Sequence, residues 1–407
     1  MEVNLSINFC GVKFPNPFIV SQVPPIGNVE IVASQLQAGW GGVVLRKTSL
    51  NATPDKHTIA YQRQRAPLYR GVEYEEKRLT DLGWIEPLTP APLEETGRAI
   101  TILKERFPEH VIIASMIGAN REEWLKVSRR LHQAGADLIE CDFSIALGES
   151  PEEREIIAHD LKLMEKAARY IREGARSTPV MLKLPGMIPD RGMVIETLKE
   201  AGADALTLFY EPRGVPGINL TNFVPFPNVG GKSSICVMGG AATKPYTLGM
   251  LAEWGVANTG LAISALGGAY NWRDSVEFIL IGASVLQLHG AVLQRGVGLV
   301  DELKSGVSDY LEEKMISSVD KLVGKSLPFF SLSKDLPRNS AVVAAIDEKL
   351  CSRCGICYRI CEGLGYNAIG ISSQRKTSVD KKKCVGDGLC VAACPVAGCM
   401  SLRRISR

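Results

Sequence analysis

The sequence predicts a (β/α)8 TIM barrel followed by a small two-[4Fe-4S] ferredoxin-like domain. Three observations predict it. Short apolar β-type runs alternate with amphipathic helical stretches from residue 17 to about 320, the signature of βαβ units and a parallel sheet. About eight such repeats fill about 300 residues, which favours a closed barrel over an open doubly wound sheet. Eight of the eleven Cys fall between Cys351 and Cys399.

The apolar runs lie at 17–21, 41–45, 111–116, 138–143, 180–184, 205–209, 261–266 and 284–288. Helical patterns lie between them, as at 92–107 and 151–175. The alternative, an open Rossmann-type sheet, is weakened because no G-x-G-x-x-G follows an early strand. Residues 326–345 hold two Pro and several Ser and read as a linker. The expected domains are therefore a barrel over 1–325, a linker over 326–345 and a Cys-rich domain over 346–407. The last is too small for a large apolar core and must be held by metal.

The chain carries 47 Lys and Arg against 44 Asp and Glu, so no charge bias points to nucleic acid. No apolar stretch is long enough for a membrane span. The N-terminus lacks a basic segment followed by an apolar one, so no signal peptide is expected. Clustered thiols then argue for metal in a reducing, cytoplasmic compartment rather than for disulfides.

The cysteines form two runs. The first is Cys351-x2-Cys354-x2-Cys357-x3-Cys361. The second is Cys384-x2-Asp387-x2-Cys390-x3-Cys394-Pro395. In this spacing the fourth ligand of each run serves the other cluster. One cluster takes Cys351, Cys354, Cys357 and Cys394. The other takes Cys384, Cys390, Cys361 and, in place of a fourth thiolate, Asp387. A zinc site would show two well-separated C-x2-C pairs instead. A carboxylate oxygen holds iron in a sulfide core less firmly than thiolate does. The Asp387 cluster is thus expected either to interconvert between four-iron and three-iron forms, or to be a three-iron cluster faced by a turn residue. Cys399 lies outside both runs and reads as a small buried residue.

These runs, with segments 7–25, 38–49, 111–124, 282–292 and 344–369, resemble the flavin and iron–sulfur portion of dihydropyrimidine dehydrogenases. The barrel is in turn similar to class 1 dihydroorotate dehydrogenases. The resemblance implies FMN as cofactor. Its phosphate would lie at the loops after the last strands, near Gly267, Gly268, His289 and Gly290, with Gly239 and Gly240 in a third loop on the same face. It places Lys183 at the flavin N1–O2 edge, where reduction develops negative charge. A buried Lys must in any case be paired. Ser21 and Gln22 would touch the isoalloxazine. The second-strand motif is one residue longer than in the family, and Lys47 and Thr48 are the flavin contacts chosen.

The family pattern fails at the substrate site. Where relatives have Asn-Leu-Ser-Cys-Pro, whose Cys moves the proton at substrate carbon, this chain reads Asp142-Phe143-Ser144-Ile145-Ala146. Cys141 does not replace that Cys, being four residues and about 13 Å back along a strand. Where relatives have Asn-Thr for the pyrimidine amide edge, this chain has Tyr210-Glu211. Two functions follow. One is an oxidoreductase acting on a CH–CH or related bond of a small, non-pyrimidine substrate, with Tyr210 or Glu211 supplying the proton, Ser144 and Asp142 nearby, and Arg213 able to hold an anion. The other is a non-catalytic electron relay in a larger redox complex. At Tyr210 and Arg213, a rim residue and a surface charge are the plain alternatives.

No nicotinamide fingerprint is present. The resemblance implies a partner subunit carrying FAD and an NAD(P)H site, or a ferredoxin, and a homodimer or hetero-oligomer. Lys381, Lys382 and Lys383 beside Cys384 could steer an acidic partner or be an ordinary solvated run.

Overall fold

The computed structural model describes the chain except residues 1–2, 22–28, 51–68, 74–78, 85–89, 145, 148–154, 186–187, 210–211, 229–230, 258–259, 332–334, 337–341 and 406–407. Gln22, Ile145, Tyr210 and Glu211 therefore lie outside the described residues. The chain divides into two units, Met1–Phe330 and Ser331–Arg407.

In the first unit eight parallel strands close into a barrel. In order they are Phe18–Ser21, Gly42–Val44, Val111–Met116, Leu138–Asp142, Val180–Pro185, Ala205–Phe209, Ala262–Leu266 and Val285–Leu288. Each pairs with its neighbour in chain order, and the last pairs back onto the first through Leu286↔Phe18, Gln287↔Ile19 and Leu288↔Val20. All eight apolar runs of the sequence are these strands. Parallel strands buried on both faces read as nearly continuous apolar runs, which is why they were legible. An N-terminal hairpin, Ile7–Phe9 with Val12–Phe14, buries Phe9 and Phe14 edge to face at 6.1 Å.

Helices follow from capping and amphipathic spacing. Leu93–Arg106 carries Glu94 and Glu95 in its first turn and Lys104 and Arg106 in its last, matching the helix dipole. The pattern at 151–175 is a shorter helix than expected, Leu161–Ala175. Asp160 caps it by accepting from the Lys162 and Leu163 N–H groups. Glu155–Ile156 instead pairs antiparallel with Ala146–Leu147.

A four-stranded antiparallel sheet was not foreseen. Its order is Arg213–Gly214, Cys236–Gly240, Leu79–Trp84 and Tyr69–Glu73. Gly239 and Gly240 accordingly end a strand, not a simple barrel loop, paired with Leu82 and Asp81.

The expected linker is also shorter. Leu327–Phe329 is a 3-10 turn of the first unit, tied through the Ser326 N–H to the Leu280 carbonyl. Val342–Ile346 is a strand of the second unit, antiparallel to Met400–Arg404. That second unit has a small core of Ala344, Cys361, Ala368, Ile369, Cys390 and Met400. Among the described residues no helix is long and apolar enough to cross a membrane.

Candidate functional site

The upper interior of the barrel is polar. Successive side chains on a strand alternate in direction, so Glu140 and Asp142 share the inner face of their strand. In register, Asp142 lies beside Lys183 and Lys183 beside Thr207. Glu140, Asp142, Lys183, Thr207, Ser264 and Gln287 are all buried.

Asp142 is the centre of this layer. Its carboxylate lies 3.3 Å from Lys47 Nζ and 3.9 Å from Lys183 Nζ. The Ser144 hydroxyl donates to it at 2.5 Å and the Ser144 N–H at 2.9 Å. Burial opposes the charge, but the two ammonium groups and the Ser144 donors outweigh it and hold the Asp142 carboxyl below the usual range. Asp142 is therefore an ionised base at neutral pH. Lys183 Nζ also sits 4.9 Å from the centre of the Phe209 ring.

Below lies a network the sequence reading missed. Thr207 Oγ1 donates to Glu140 Oε2 at 2.6 Å, and Gln287 Nε2 donates to the same oxygen at 2.7 Å. Ser21 Oγ donates to Gln287 Oε1 at 3.0 Å. Ser21 is thus committed to the layer, and its carbonyl accepts from His289 Nδ1 at 2.8 Å. A carbonyl only accepts, so Nδ1 carries the proton. Thr48 is likewise committed: its hydroxyl donates to the Ala91 carbonyl and accepts from Thr96 Oγ1. The signal for Glu140 was its spacing of two from Asp142 on one strand.

Cys141 is fully buried, and alternation turns it away from Glu140 and Asp142 toward the helix layer. The strand ends at Asp142, so the reason Cys141 is no proton donor is its face, not its depth. Burial first, then the Asp142 and Glu140 charges, raise its thiol well above the usual range.

Beside this layer is a glycine-lined cavity. Gly239, Gly240, Gly267, Gly268, His289 and Gly290 all line it. Gly267 and Gly268 have φ of 101° and 93°, where L side chains are strained. A Cβ on Gly268 would come within 2.4 Å of the Lys244 backbone. A Cβ on Gly290 would meet only the Gly240 nitrogen, at 3.9 Å, and would project into open space.

The second unit presents two further cavities, each ringed by ligand-type side chains. One is lined by Cys351, Cys354, Cys357 and Cys394, with Cys399. The other is lined by Cys361, Cys384, Cys390 and Asp387. The fold brings together the two quartets that the spacing predicts. The backbone repeats as well. Arg353 and Gly355 have φ of 58° and 76°, and Gly386 and Gly388 have 74° and 78°. Asp387 therefore stands at the turn position that Cys354 occupies in the first run. Its Oδ1 accepts from the Leu389 N–H at 3.1 Å.

Peptide N–H groups point at the sulfurs. Ala368 donates to Cys361 at 3.2 Å and Ala344 to Cys384 at 3.4 Å. The Ile356 N–H and then the Ser352 hydroxyl lower the Cys354 thiol, favouring thiolate. Burial, with its hydrogen bond to Cys394, pushes Cys399 up to about 12, so it stays a neutral thiol at the cavity wall.

Comparison with known proteins bears on both units. Residues 344–402 match the 4Fe-4S dicluster domain. The chain is 33% identical to the NAD-dependent dihydropyrimidine dehydrogenase subunit PreA of Escherichia coli (strain K12), over 99% of this chain and 96% of that protein. It is 27% identical to the chloroplastic dihydropyrimidine dehydrogenase (NADP(+)) of Arabidopsis thaliana, over 87% of this chain and 84% of that protein. It is also 27% identical to the catalytic subunit of dihydroorotate dehydrogenase B (NAD(+)) of Pyrococcus abyssi (strain GE5 / Orsay), over 79% of this chain and 99% of that protein. With a TIM-like barrel, a dicluster domain and identity along its whole length, the chain belongs to the family of the dihydropyrimidine dehydrogenase subunit PreA.

Proposed function

We propose that the chain is an FMN- and iron–sulfur-dependent oxidoreductase that acts on a CH–CH or related bond of a small, non-pyrimidine substrate. One observation carries this reading. A buried, ionised Asp142, compensated by Lys47 and Lys183 and joined to Ser144, lies in the same barrel as a glycine-lined cavity. A barrel serving only as packing would not bury the charged pair Asp142 and Lys183.

The residues fit FMN. Gly240, Gly267, Gly268 and Gly290 would admit its phosphate to the backbone, and Lys183 would sit at the isoalloxazine edge. When bound, FMN supplies hydride exchange with the substrate. In the oxidative direction Ser144 takes the proton from substrate carbon while its own hydroxyl proton passes to Asp142, which becomes neutral. Tyr210 and Glu211, at the family's amide-recognition positions, are assigned to the substrate rim on sequence grounds. With Ile145 in place of a proton-bearing Cys and that pair exchanged, the pocket no longer matches a pyrimidine.

Gly290→Leu tests the cradle. The added side chain projects into the cavity, so flavin content falls at least tenfold while the far-ultraviolet circular dichroism and the melting temperature hold. Full flavin occupancy in that variant would refute the phosphate assignment. The reaction class is tested by reducing the chain without oxygen and adding unsaturated acids, amides and uracil. Reoxidation by a non-pyrimidine, lost in Ser144→Ala, is expected. Reoxidation by uracil alone would restore the pyrimidine assignment. Reoxidation by electron carriers but by no organic compound would make the barrel a relay.

The two quartets would hold one [4Fe-4S] cluster on four Cys and a second cluster on three Cys and Asp387. A carboxylate at the Cys354-equivalent turn makes the second cluster the labile one. Asp387→Cys should abolish its three-iron electron-spin signal after mild oxidation. An unchanged spectrum would place Asp387 as a turn residue only. A partner subunit bearing FAD and a nicotinamide site, or a ferredoxin, would complete the electron path.

A further inference from the structure

Surface composition in the second unit singles out one of its two clusters. The cavity formed by Cys361, Cys384, Cys390 and Asp387 is also lined by Leu364, Tyr366, Val385 and Leu389. These four are exposed at 48%, 38%, 60% and 47%. Leu402, also exposed, borders them, its Cδ1 3.4 Å from where a Gly388 Cβ would lie. Among the described residues lining the other cavity, which include Ser352, Thr377 and Pro395 as well as Ile356 and Met400, none is a large apolar side chain that is exposed. Exposed apolar side chains scattered singly need no explanation, but a group gathered around one redox site does.

Charge adds a direction. Residues 331–407 hold 13 Lys and Arg against 6 Asp and Glu, a net of +7. Residues 1–330 hold 34 against 38, a net of −4. The even balance of the whole chain hides a strongly basic second unit. Lys381, Lys382 and Lys383 are exposed and run directly into Cys384, a wall of the collared cavity. An apolar centre with a charged rim is the anatomy of a protein interface. Small, charge-steered contacts are typical of transient electron-transfer complexes.

We propose that the Leu364–Tyr366–Val385–Leu389–Leu402 collar, rimmed by Lys381–Lys383, is the docking surface for an acidic one-electron carrier protein, and that electrons cross the surface at the Asp387-containing cluster. One electron passes between the carrier and that cluster, with no bond made or broken. The proposal rests on the cluster assignment and not on the flavin or the substrate.

The test uses the full chain purified without oxygen. A reduced, small acidic [2Fe–2S] ferredoxin is mixed with it in a stopped-flow instrument at low and high ionic strength. Iron content and electron-spin spectra establish that each variant keeps its clusters. Reversing all three lysines (K381E, K382E and K383E) is expected to lower the second-order rate constant at least tenfold at low salt, with the gap closing at high salt. Val385→Asn with Leu389→Asn is expected to lower it several-fold at both, because apolar contact is not screened. Unchanged rates in both variants with clusters intact would overturn the proposal. So would a loss of self-association at unchanged rates, which would make the collar a contact between copies of this chain.

Discussion

Stripping iron from this chain should unfold residues 331–407 and leave the barrel standing. The second unit buries only a handful of apolar side chains, and two of its six core residues are the proposed ligand thiols Cys361 and Cys390. Burying a full aliphatic side chain contributes about 1.5–3 kcal/mol, and ordering each residue costs about 1–2 kcal/mol of backbone entropy. So small a core does not offset the ordering of a unit this long. Cluster ligation supplies the difference, as metal does in other small domains. After chelation under oxidising conditions, hydrogen exchange should lose protection in the Val342–Ile346 and Met400–Arg404 pair. Protease should then cut within the second unit and leave a fragment near Met1–Phe330. Cys394→Ala should weaken the same unit, since Cys394 closes a cavity built by the other run. Retained protection in the iron-free chain would show that the unit folds without its clusters.

Replacing Asp142 with Asn should destabilise the barrel by about 3–5 kcal/mol at neutral pH, the usual cost of leaving a buried charge without its partner. Lys183 is buried and would lose its carboxylate, while Lys47 is less enclosed. Asp142→Asn combined with Lys183→Met should therefore cost less than the two single changes added together, because the double variant no longer buries the Lys183 ammonium without its carboxylate. Urea melts of the four proteins measure the coupling, and strict additivity would contradict the geometry. The pH dependence has a definite sign. The folded carboxyl ionises below its unfolded value of about 3.9. The pairing therefore stabilises the barrel fully above that value and fades as pH falls through the lower folded value. The Asn variant should lack this acid-side loss.

The barrel was legible because its strands are buried on both faces and so appear as nearly continuous apolar runs, as in Val111–Met116. The antiparallel sheet was not, because its partners come from distant segments and Leu79–Trp84 and Cys236–Gly240 are short and glycine-containing. Gly239 and Gly240 were consequently assigned to a loop although they end a strand and line a cavity with Gly267, Gly268, His289 and Gly290. In the second unit, spacing alone assigned Cys394 and Cys361 each to the other run's quartet, and each lines the cavity of that quartet. What spacing could not show was the apolar collar on one cavity, which depends on Leu364 and Leu389, distant in sequence, lining the same cavity. At the barrel top, Asp142 and Lys183 were each visible singly. Their pairing follows only from strand register, and register comes from the closed sheet. Glu140 escaped notice because a carboxylate inside a barrel looks like any other charge until its neighbours are known.

The most direct test of the account is FMN and iron per polypeptide in the chain purified without oxygen. The account predicts about one FMN and about seven or eight irons, for one four-iron cluster and a second of three or four. Iron at that level without flavin would contradict the flavin barrel and leave the two clusters as the chain's redox centres.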